Sequence, residues 1–138
     1  MEPPAPPSAA VSIVEVSPRD GLQNEPGFVE TADKLDLIGR LIGFGARRIE
    51  VASYVNPRRV PQMADAEAVV AGLPAAPGVR FIGLCLNERG VDRAIASLEG
   101  PRPLDEAGCV LVASDTFGIV NQGQKIEDGI AANSAMLA

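Results

Sequence analysis

The segment SPRDGLQNEP, residues 17–26, places several polar side chains directly after the apolar run VSIVEV at residues 11–16. Arg19, Asp20 and Gln23 all fall within this short stretch. The carboxylate of Asp20 is a hard oxygen ligand that suits Mg²⁺ or Mn²⁺. The guanidinium of Arg19 is a fixed fork of donors that suits a carboxylate or a developing enolate oxygen. A turn aspartate beside a solvated arginine is the simpler alternative, but the crowding of polar groups favours a ligand site.

Four apolar runs predict the strands that must position these residues. The runs are rich in leucine or β-branched residues, which is typical of strands covered on both faces of a parallel sheet. The runs are VSIVEV (11–16), RRIEVAS (47–53), VRFIGLCL (79–86) and GCVLVAS (108–114). Helical patterns follow them: TADKLDLIGRLIGFG, NPRRVPQMADAEAVVAGLP, NERGVDRAIASLEG and NQGQKIEDGIAANSAMLA. This order predicts four parallel βα units. It fits either an open doubly wound sheet or half of an eight-unit barrel.

Polar residues also end the other three runs. In both architectures the carboxyl ends of the strands form the edge where ligands bind. These residues are Glu50 and Ser53 for the second run, Asn87 for the third, and Ser114 and Asp115 for the fourth. Four polar strand ends at one edge predict a ligand site there. Asn87 fits a helix cap and a ligand contact equally well.

Glu50 is a carboxylate inside an otherwise apolar run, and a buried carboxylate needs a partner. Arg19, at the neighbouring strand end, is the natural candidate. The sequence leaves open whether this pair is structural or catalytic.

Composition restricts the class of protein. The net charge of −6 argues against a nucleic-acid surface, and no apolar run approaches the roughly 20 residues of a membrane span. Cys85 and Cys109 lie in apolar runs, which predicts core thiols in a reducing, cytoplasmic compartment. The chain contains no histidine, so the commonest catalytic acid–base and metal ligand is missing. Residues 1–10, MEPPAPPSAA, read as a short disordered leader.

Three stretches resemble a known family. EVSPRDGLQNE at 15–25 is similar to the opening signature of hydroxymethylglutaryl-CoA lyases, metal-dependent enzymes built on a TIM barrel. IEVASYVNPRRVPQMADAEAV at 49–69 and GCVLVASDTFGIVNQGQ at 108–124 resemble their second and fourth strands with the following loops. Related acyl-CoA-condensing synthases usually carry Gly-Glu-Gln where this chain has Gly21-Leu22-Gln23, which favours the lyase branch.

The resemblance implies an α/β fold, a parallel (βα)4 half of a TIM (β/α)8 barrel over residues 11–138. It implies retro-Claisen cleavage of 3-hydroxy-3-methylglutaryl-CoA to acetyl-CoA and acetoacetate, with a divalent cation as Lewis acid. Carried over by position, Asp20 would be a metal ligand, and Arg19 with Glu50 would be the catalytic pair. Arg19, Gln23 and Ser53 would contact the acyl-CoA substrate, and we add Asn87 to these predicted contacts because of its place at a strand end.

The same resemblance shows what the chain lacks. The family completes its metal site with a His-x-His pair and an asparagine from later strands, and it adds a cysteine on a late loop. We therefore expect the isolated chain to be inactive and to need a complementary half-barrel or self-association, because its edge strands are open. The alternatives are a non-catalytic binding module, a fragment of an acyl-CoA-condensing enzyme, and an independent open-sheet enzyme.

Overall fold

The structure is a computed structural model that describes residues 11–137. The leader expected over residues 1–10 lies outside the described residues. Three strands are β1 (Arg48–Ser53), β2 (Arg80–Cys85) and β3 (Glu106–Cys109). Five α-helices are α1 (Thr31–Gly43), α2 (Ala66–Ala71), α3 (Glu88–Ala96), α4 (Asp115–Gln122) and α5 (Ile126–Met136). Short 3₁₀ turns cover Pro61–Met63 and Ser97–Glu99, and Ser17–Gly21 forms one π-helical turn.

The strands form a parallel sheet in the order β1-β2-β3. The hydrophobic core lies between this sheet and the first helices: Ile38 of α1, Val70 of α2, Ile49 of β1 and Phe81 of β2 are each at most 1% exposed. The predicted parallel α/β architecture is therefore confirmed for the sheet, while the described residues hold three strands rather than the four of a complete (βα)4 unit.

The first predicted strand is the main correction. Glu15 alone pairs with β1, through Glu15 N–H to the Arg48 carbonyl at 2.9 Å and Glu50 N–H to the Glu15 carbonyl at 2.8 Å. The chain turns away at Ser17–Gly21, where Pro18 fixes its backbone angle and has no N–H for a ladder. One bridging residue is too short a contact to count as a strand, but it keeps the parallel direction that the sequence predicted.

The last quarter of the chain differs more. The predicted strand at 108–114 is β3 at 106–109, and the stretch assigned to a loop contains α4. The Ser114 side chain caps α4 by accepting the Phe117 N–H at 3.3 Å, and Gly123, with φ of 73°, ends it. Helix α5 begins only at Ile126, five residues later than the predicted start of that helical pattern.

Exposed apolar side chains concentrate at the two ends of the described chain rather than on the sheet. Ile82 and Leu84 of β2 are 6% exposed. The exposed group near the start is Val11, Ile13 and Val16, and near the end it is Val110, Leu111, Phe117, Ile119, Val120, Ile130 and Leu137. No helix within residues 11–137 combines the length and apolarity needed to cross a bilayer.

Candidate active site

The turn Ser17–Gly21 carries Arg19 and Asp20 to the carboxyl ends of the strands. Its first residue donates a backbone hydrogen bond to Glu15 Oε1 at 2.8 Å, which holds the pKa of that carboxyl below its usual range. The Asp20 N–H bonds the Val16 carbonyl at 2.7 Å, and Pro18 is buried. Because Glu15 is bridged to β1, the turn that follows lies beside that strand. Local hydrogen bonds therefore fix where Arg19 projects.

Arg19 joins two carboxylates. It donates to Glu50 Oε1 of β1 in a close ion pair, and its Nη1 lies 2.7 Å from Asp20 Oδ1. The Arg19 and Glu50 side chains are only 15% and 12% exposed, whereas Asp20 is 54% exposed. The predicted partner of Glu50 is thus confirmed. A guanidinium held between two carboxylates is fixed in orientation.

An irregularity in β1 brings Ser53 to the face that carries Glu50. Glu50 pairs with Ile82, but Ser53 pairs with Leu84, because the register shifts at Val51. Residues paired across two strands point to the same face of the sheet, and Ile82 and Leu84, two positions apart on β2, also share a face. Their partners Glu50 and Ser53 therefore lie on the same side of the sheet. We call this side, which also bears Arg48, Arg80 and Glu106, the inner face. A regular strand would have placed Ser53 on the opposite side.

Ser53 is a buried hydroxyl without a hydrogen-bond partner. Its side chain is 0% exposed, and no group within the described part of the chain bonds its Oγ. Most buried polar atoms in proteins are hydrogen-bonded, so such an atom needs an explanation. Its position on the inner face, three residues after Glu50, makes it a group able to bond a molecule held at the carboxyl edge.

The remaining predicted site residues are placed less centrally. Gln23 is half-buried directly after the turn that carries Arg19. Asn87 caps α3, since its Oδ1 accepts the Gly90 N–H at 3.0 Å. Ser114 caps α4, and Asp115 accepts the Ile126 N–H at 2.9 Å. The structure therefore brings Arg19, Asp20, Glu50 and Ser53 together, while the polar groups after β2 and β3 serve helix starts.

A second charged cluster lies on the inner face and extends to its amino edge, where Arg48 and Arg80 begin their strands. Glu106 of β3 bonds Arg48 of β1 at 2.6 and 3.1 Å and Arg80 of β2 at 3.0 Å. The hydrogen bond from Arg48 lowers the pKa of Glu106, and the same bond raises the pKa of Arg48. This cluster ties the three strands to one another where they begin.

Sequence reasoning missed a buried ion pair beneath the loops. Lys34 of α1 is 2% exposed and its Nζ lies 2.5 Å from Asp65 Oδ1. The available signal was the spacing of Lys34, Leu35 and Ile38, which puts the lysine on the apolar stripe of α1.

The cysteines behave as core residues. Cys85 is fully buried, and this burial raises the pKa of its thiol to about 11. A thiol with so high a pKa is a poor nucleophile. Cys109 on the neighbouring strand is half-buried.

The described residues do not make a complete cation site. No group of three or more histidine, cysteine, aspartate or glutamate side chains converges within residues 11–137. Asp20 is solvent-accessible and can offer an oxygen, but the nearby carboxylate of Glu50 is engaged by Arg19. Mg²⁺ requires several converging oxygen ligands for a defined geometry. Asp20 alone fits the role of one ligand and not of a site.

Comparisons with known proteins agree in sequence and in fold, although no protein-family model matches the chain. It is 40% identical over 120 residues to the 3-hydroxy-3-isohexenylglutaryl-CoA/hydroxymethylglutaryl-CoA lyase of Pseudomonas aeruginosa, covering 87% of this chain and 38% of that protein. It is 41% identical over 122 residues to the (R)-citramalyl-CoA lyase of Chloroflexus aurantiacus, covering 81% and 37%. An HMG-CoA lyase from Acinetobacter baumannii, solved with coenzyme A and 3-methylmalate, superposes with a TM-score of 0.82 at 35% identity, covering 91% and 39%.

These relatives are lyases of acyl-CoA substrates, and the chain spans a little over a third of their length. The match includes the segments that carry the polar strand ends, since it extends over more than four-fifths of this chain. By sequence and by fold, the chain matches the hydroxymethylglutaryl-CoA lyase family over most of its length.

Proposed function

We propose that this chain supplies part of the active site of a hydroxymethylglutaryl-CoA lyase-type enzyme, which cleaves 3-hydroxy-3-methylglutaryl-CoA to acetyl-CoA and acetoacetate. The observation that carries the proposal is the convergence of Arg19, Glu50 and Ser53 on the inner face at the carboxyl edge. In barrels of this kind, catalytic side chains come from the ends of several strands at that edge.

In this proposal Arg19 stabilises charge that develops on the thioester oxygen. Cleavage of the carbon–carbon bond leaves an acetyl-CoA enolate, and a preoriented guanidinium in a partly dry site is well suited to its oxygen. Glu50 acts with it by holding the guanidinium in one orientation. The arginine keeps further N–H donors beyond the bonds it makes to Glu50 and Asp20.

The substrate-contact roles follow the same positions. Ser53 bonds a polar group of the substrate through its unpartnered Oγ, and Gln23 borders the pocket from the segment after Arg19. Asn87 stays a predicted contact whose side-chain oxygen already serves α3. Asp20 is proposed as one ligand of a divalent cation, Mg²⁺ or Mn²⁺. The described residues do not complete a cation site.

The proposal includes a partner. Apolar side chains at Leu111, Phe117 and Val120 are more than half exposed, and β3 is an edge strand in the described sheet. Exposed apolar surface next to an open edge favours association. We infer that a complementary half-barrel, or a second copy of the chain, covers this surface. A cytoplasmic location stays a prediction from the cysteine usage.

The test of function is an assay of acetoacetate and acetyl-CoA from 3-hydroxy-3-methylglutaryl-CoA. The chain is assayed alone and after co-expression with the unmatched remainder of the Pseudomonas aeruginosa relative. The proposal expects cleavage only in the combined sample, with loss in Asp20→Ala when Mg²⁺ or Mn²⁺ is supplied. Arg40→Gln is the matched control, because the Arg40 side chain is 71% exposed on α1 and, within residues 11–137, pairs with Asp36 alone.

Two other outcomes would replace this proposal. Preferential cleavage of (R)-citramalyl-CoA would make that compound the proposed substrate in place of 3-hydroxy-3-methylglutaryl-CoA. It is the second candidate because the chain is 41% identical to a lyase named for it. Tight coenzyme A binding without any cleavage in the combined sample would favour the non-catalytic binding module.

A further inference from the structure

Lys34 is a buried side chain, 2% exposed, that carries a charge. Its Nζ donates to Asp65 Oδ1 at 2.5 Å and to the Gln62 carbonyl at 2.7 Å, and it lies 4.5 Å from the centre of the Phe28 ring. The two hydrogen bonds and the ring contact surround the ammonium group on several sides. A methionine would fill the same volume without the desolvation that a buried charge incurs.

The contacts of Lys34 connect two segments that border the candidate active site. Asp65 Oδ2 accepts from Thr31 at 2.7 Å, and Gln62 Nε2 donates to the Glu25 carbonyl at 2.8 Å. Segment 22–30 follows the Arg19 turn, and segment 54–65 follows Ser53. Both are therefore fastened to α1, and to one another, around one ammonium group.

Neither segment has a strand or a long helix to hold it. The first residues of segment 54–65 are held from outside the segment, by Tyr54 N–H to the Leu84 carbonyl at 2.9 Å and by Arg93 Nη1 to the Val55 carbonyl at 3.1 Å. Beyond them the segment contains the turn Pro61–Met63, and its amide bonds are local, such as Met63 N–H to the Val60 carbonyl at 3.1 Å. Segments with few backbone bonds beyond their own turns open readily. The connections through Lys34 supply long-range contacts to this later part of the segment.

We propose that Lys34 is a positioning residue, which acts through Asp65 and Gln62 to fix segments 22–30 and 54–65 relative to each other. It thereby holds Gln23, and the segment that follows Ser53, in place at the carboxyl edge. The connection to acyl-CoA binding rests on the proposed function, whereas the connection between the two segments does not.

Amide hydrogen exchange on the chain by itself tests the structural part. Lys34→Met leaves a partly buried carboxylate without its partner, so Lys34→Met/Asp65→Leu is compared with it, because replacing both partners with apolar groups restores global stability in many proteins. In the double variant we expect a thermal midpoint near that of the wild type. We also expect exchange about tenfold faster or more at Arg59, Val60, Met63 and Ala64, with β2 unchanged.

Lys34→Arg keeps the charge and should preserve most of the protection, while Arg40→Met on the exposed side of α1 should change nothing. Wild-type protection of both segments in the double variant would overturn the proposal. An equal acceleration in β2 would also overturn it, because the lysine would then serve overall stability alone.

Calorimetric titration with coenzyme A separates this inference from the proposed function. A several-fold weaker affinity in the double variant, beside faster loop exchange, is the expected result. Unchanged affinity with faster exchange would remove the positioning role. If wild-type chain and combined sample both fail to bind coenzyme A, the proposed function fails, and the exchange result still decides whether Lys34 joins the two segments.

Discussion

Two arginine–glutamate clusters share the inner face, with Glu50 and Glu106 both in register with Ile82, and they differ in where their arginines come from. At the amino edge, Glu106 lies between Arg48 and Arg80, and each of the three strands contributes one residue. At the carboxyl edge, Glu50 is joined to Arg19, which comes from a turn and not from a strand.

The difference indicates which cluster is available for chemistry. The amino-edge cluster connects strand to strand and draws its arginines, Arg48 and Arg80, from the first positions of β1 and β2. The carboxyl-edge cluster is more buried, adds the exposed carboxylate of Asp20, and shares its face with the unpartnered hydroxyl of Ser53. The same pair of residue types therefore stabilises one edge and forms a candidate site at the other, as the position of active sites in barrels leads one to expect.

The largest expected effect concerns catalysis. Arg19→Gln in the combined sample should lower kcat by about 10²–10³-fold, because a preoriented donor to the developing oxyanion is lost. Arg48→Gln, which removes the matching guanidinium at the amino edge, should change kcat only a few-fold. Steady-state rates of acetyl-CoA release measure both. Equal losses of kcat in Arg19→Gln and Arg48→Gln would mean that the two clusters do not differ in function.

The next effect concerns stability. Glu50→Gln should lower the free energy of unfolding by about 2 kcal/mol, because it leaves a mostly buried guanidinium without its main partner. Glu106→Gln should cost less than about 1 kcal/mol, since its partners Arg48 and Arg80 are 35% and 60% exposed and solvent screens both pairs. Urea unfolding followed by circular dichroism gives both values. A larger loss for Glu106→Gln would reverse the order of burial inferred for the two edges.

A smaller effect is expected from the buried hydroxyl. Ser53→Ala removes no hydrogen bond within the described chain, so the thermal midpoint should stay the same or rise slightly, while kcat/KM in the combined sample falls by about tenfold. Ser97→Ala is the matched control. Its Oγ donates to the Ala94 carbonyl at 2.6 Å, so stability should fall by about 1 kcal/mol with activity unchanged. Destabilisation by Ser53→Ala would mean that the hydroxyl already has a structural role.

The smallest effect is the pH dependence of the amino-edge cluster. The pKa of Glu106 is lowered in the folded chain by its bond to Arg48, so its contribution to stability is present above the ordinary glutamate pKa. That contribution is lost as the pH falls through the lowered, folded-state value. Acid titrations of unfolding should therefore show a shallower decline below about pH 4 for Glu106→Gln. An identical loss of stability at acid pH in the wild type and in Glu106→Gln would contradict the assignment of this pH dependence to Glu106.

The sequence predicted the carboxyl edge better than the elements around it. Glu50 in an apolar run required a cation, and Arg19 was the one that the parallel order brought near. The register shift at Val51 was not predictable, because bulges depend on pairing with the next strand and leave no pattern in their own residues. The side of the sheet on which Ser53 lies was therefore known only from the structure.

Two further features depended on tertiary contacts. Lys34 occupies a position on an apolar helical stripe, and its partner is thirty-one residues away, beyond the reach of local patterns. Residues 11–16 have the composition of a strand, but the turn at Pro18 and the single bridge at Glu15 limit their pairing. The composition of residues 11–16 predicted a strand, but their pairing with β1 is limited to the single bridge at Glu15.

The most direct test of the contrast between the two edges is a two-dimensional NMR titration of the chain with 3-hydroxy-3-methylglutaryl-CoA. It follows the Arg side-chain Nε–H resonances and the Ser53 amide. The predicted result is saturable shifts at Arg19 and Ser53, with Arg48 and Arg80 unmoved. Shifts confined to Arg48 and Arg80, or none at Arg19 under conditions where the ligand binds, would contradict the placement of the site at the carboxyl edge.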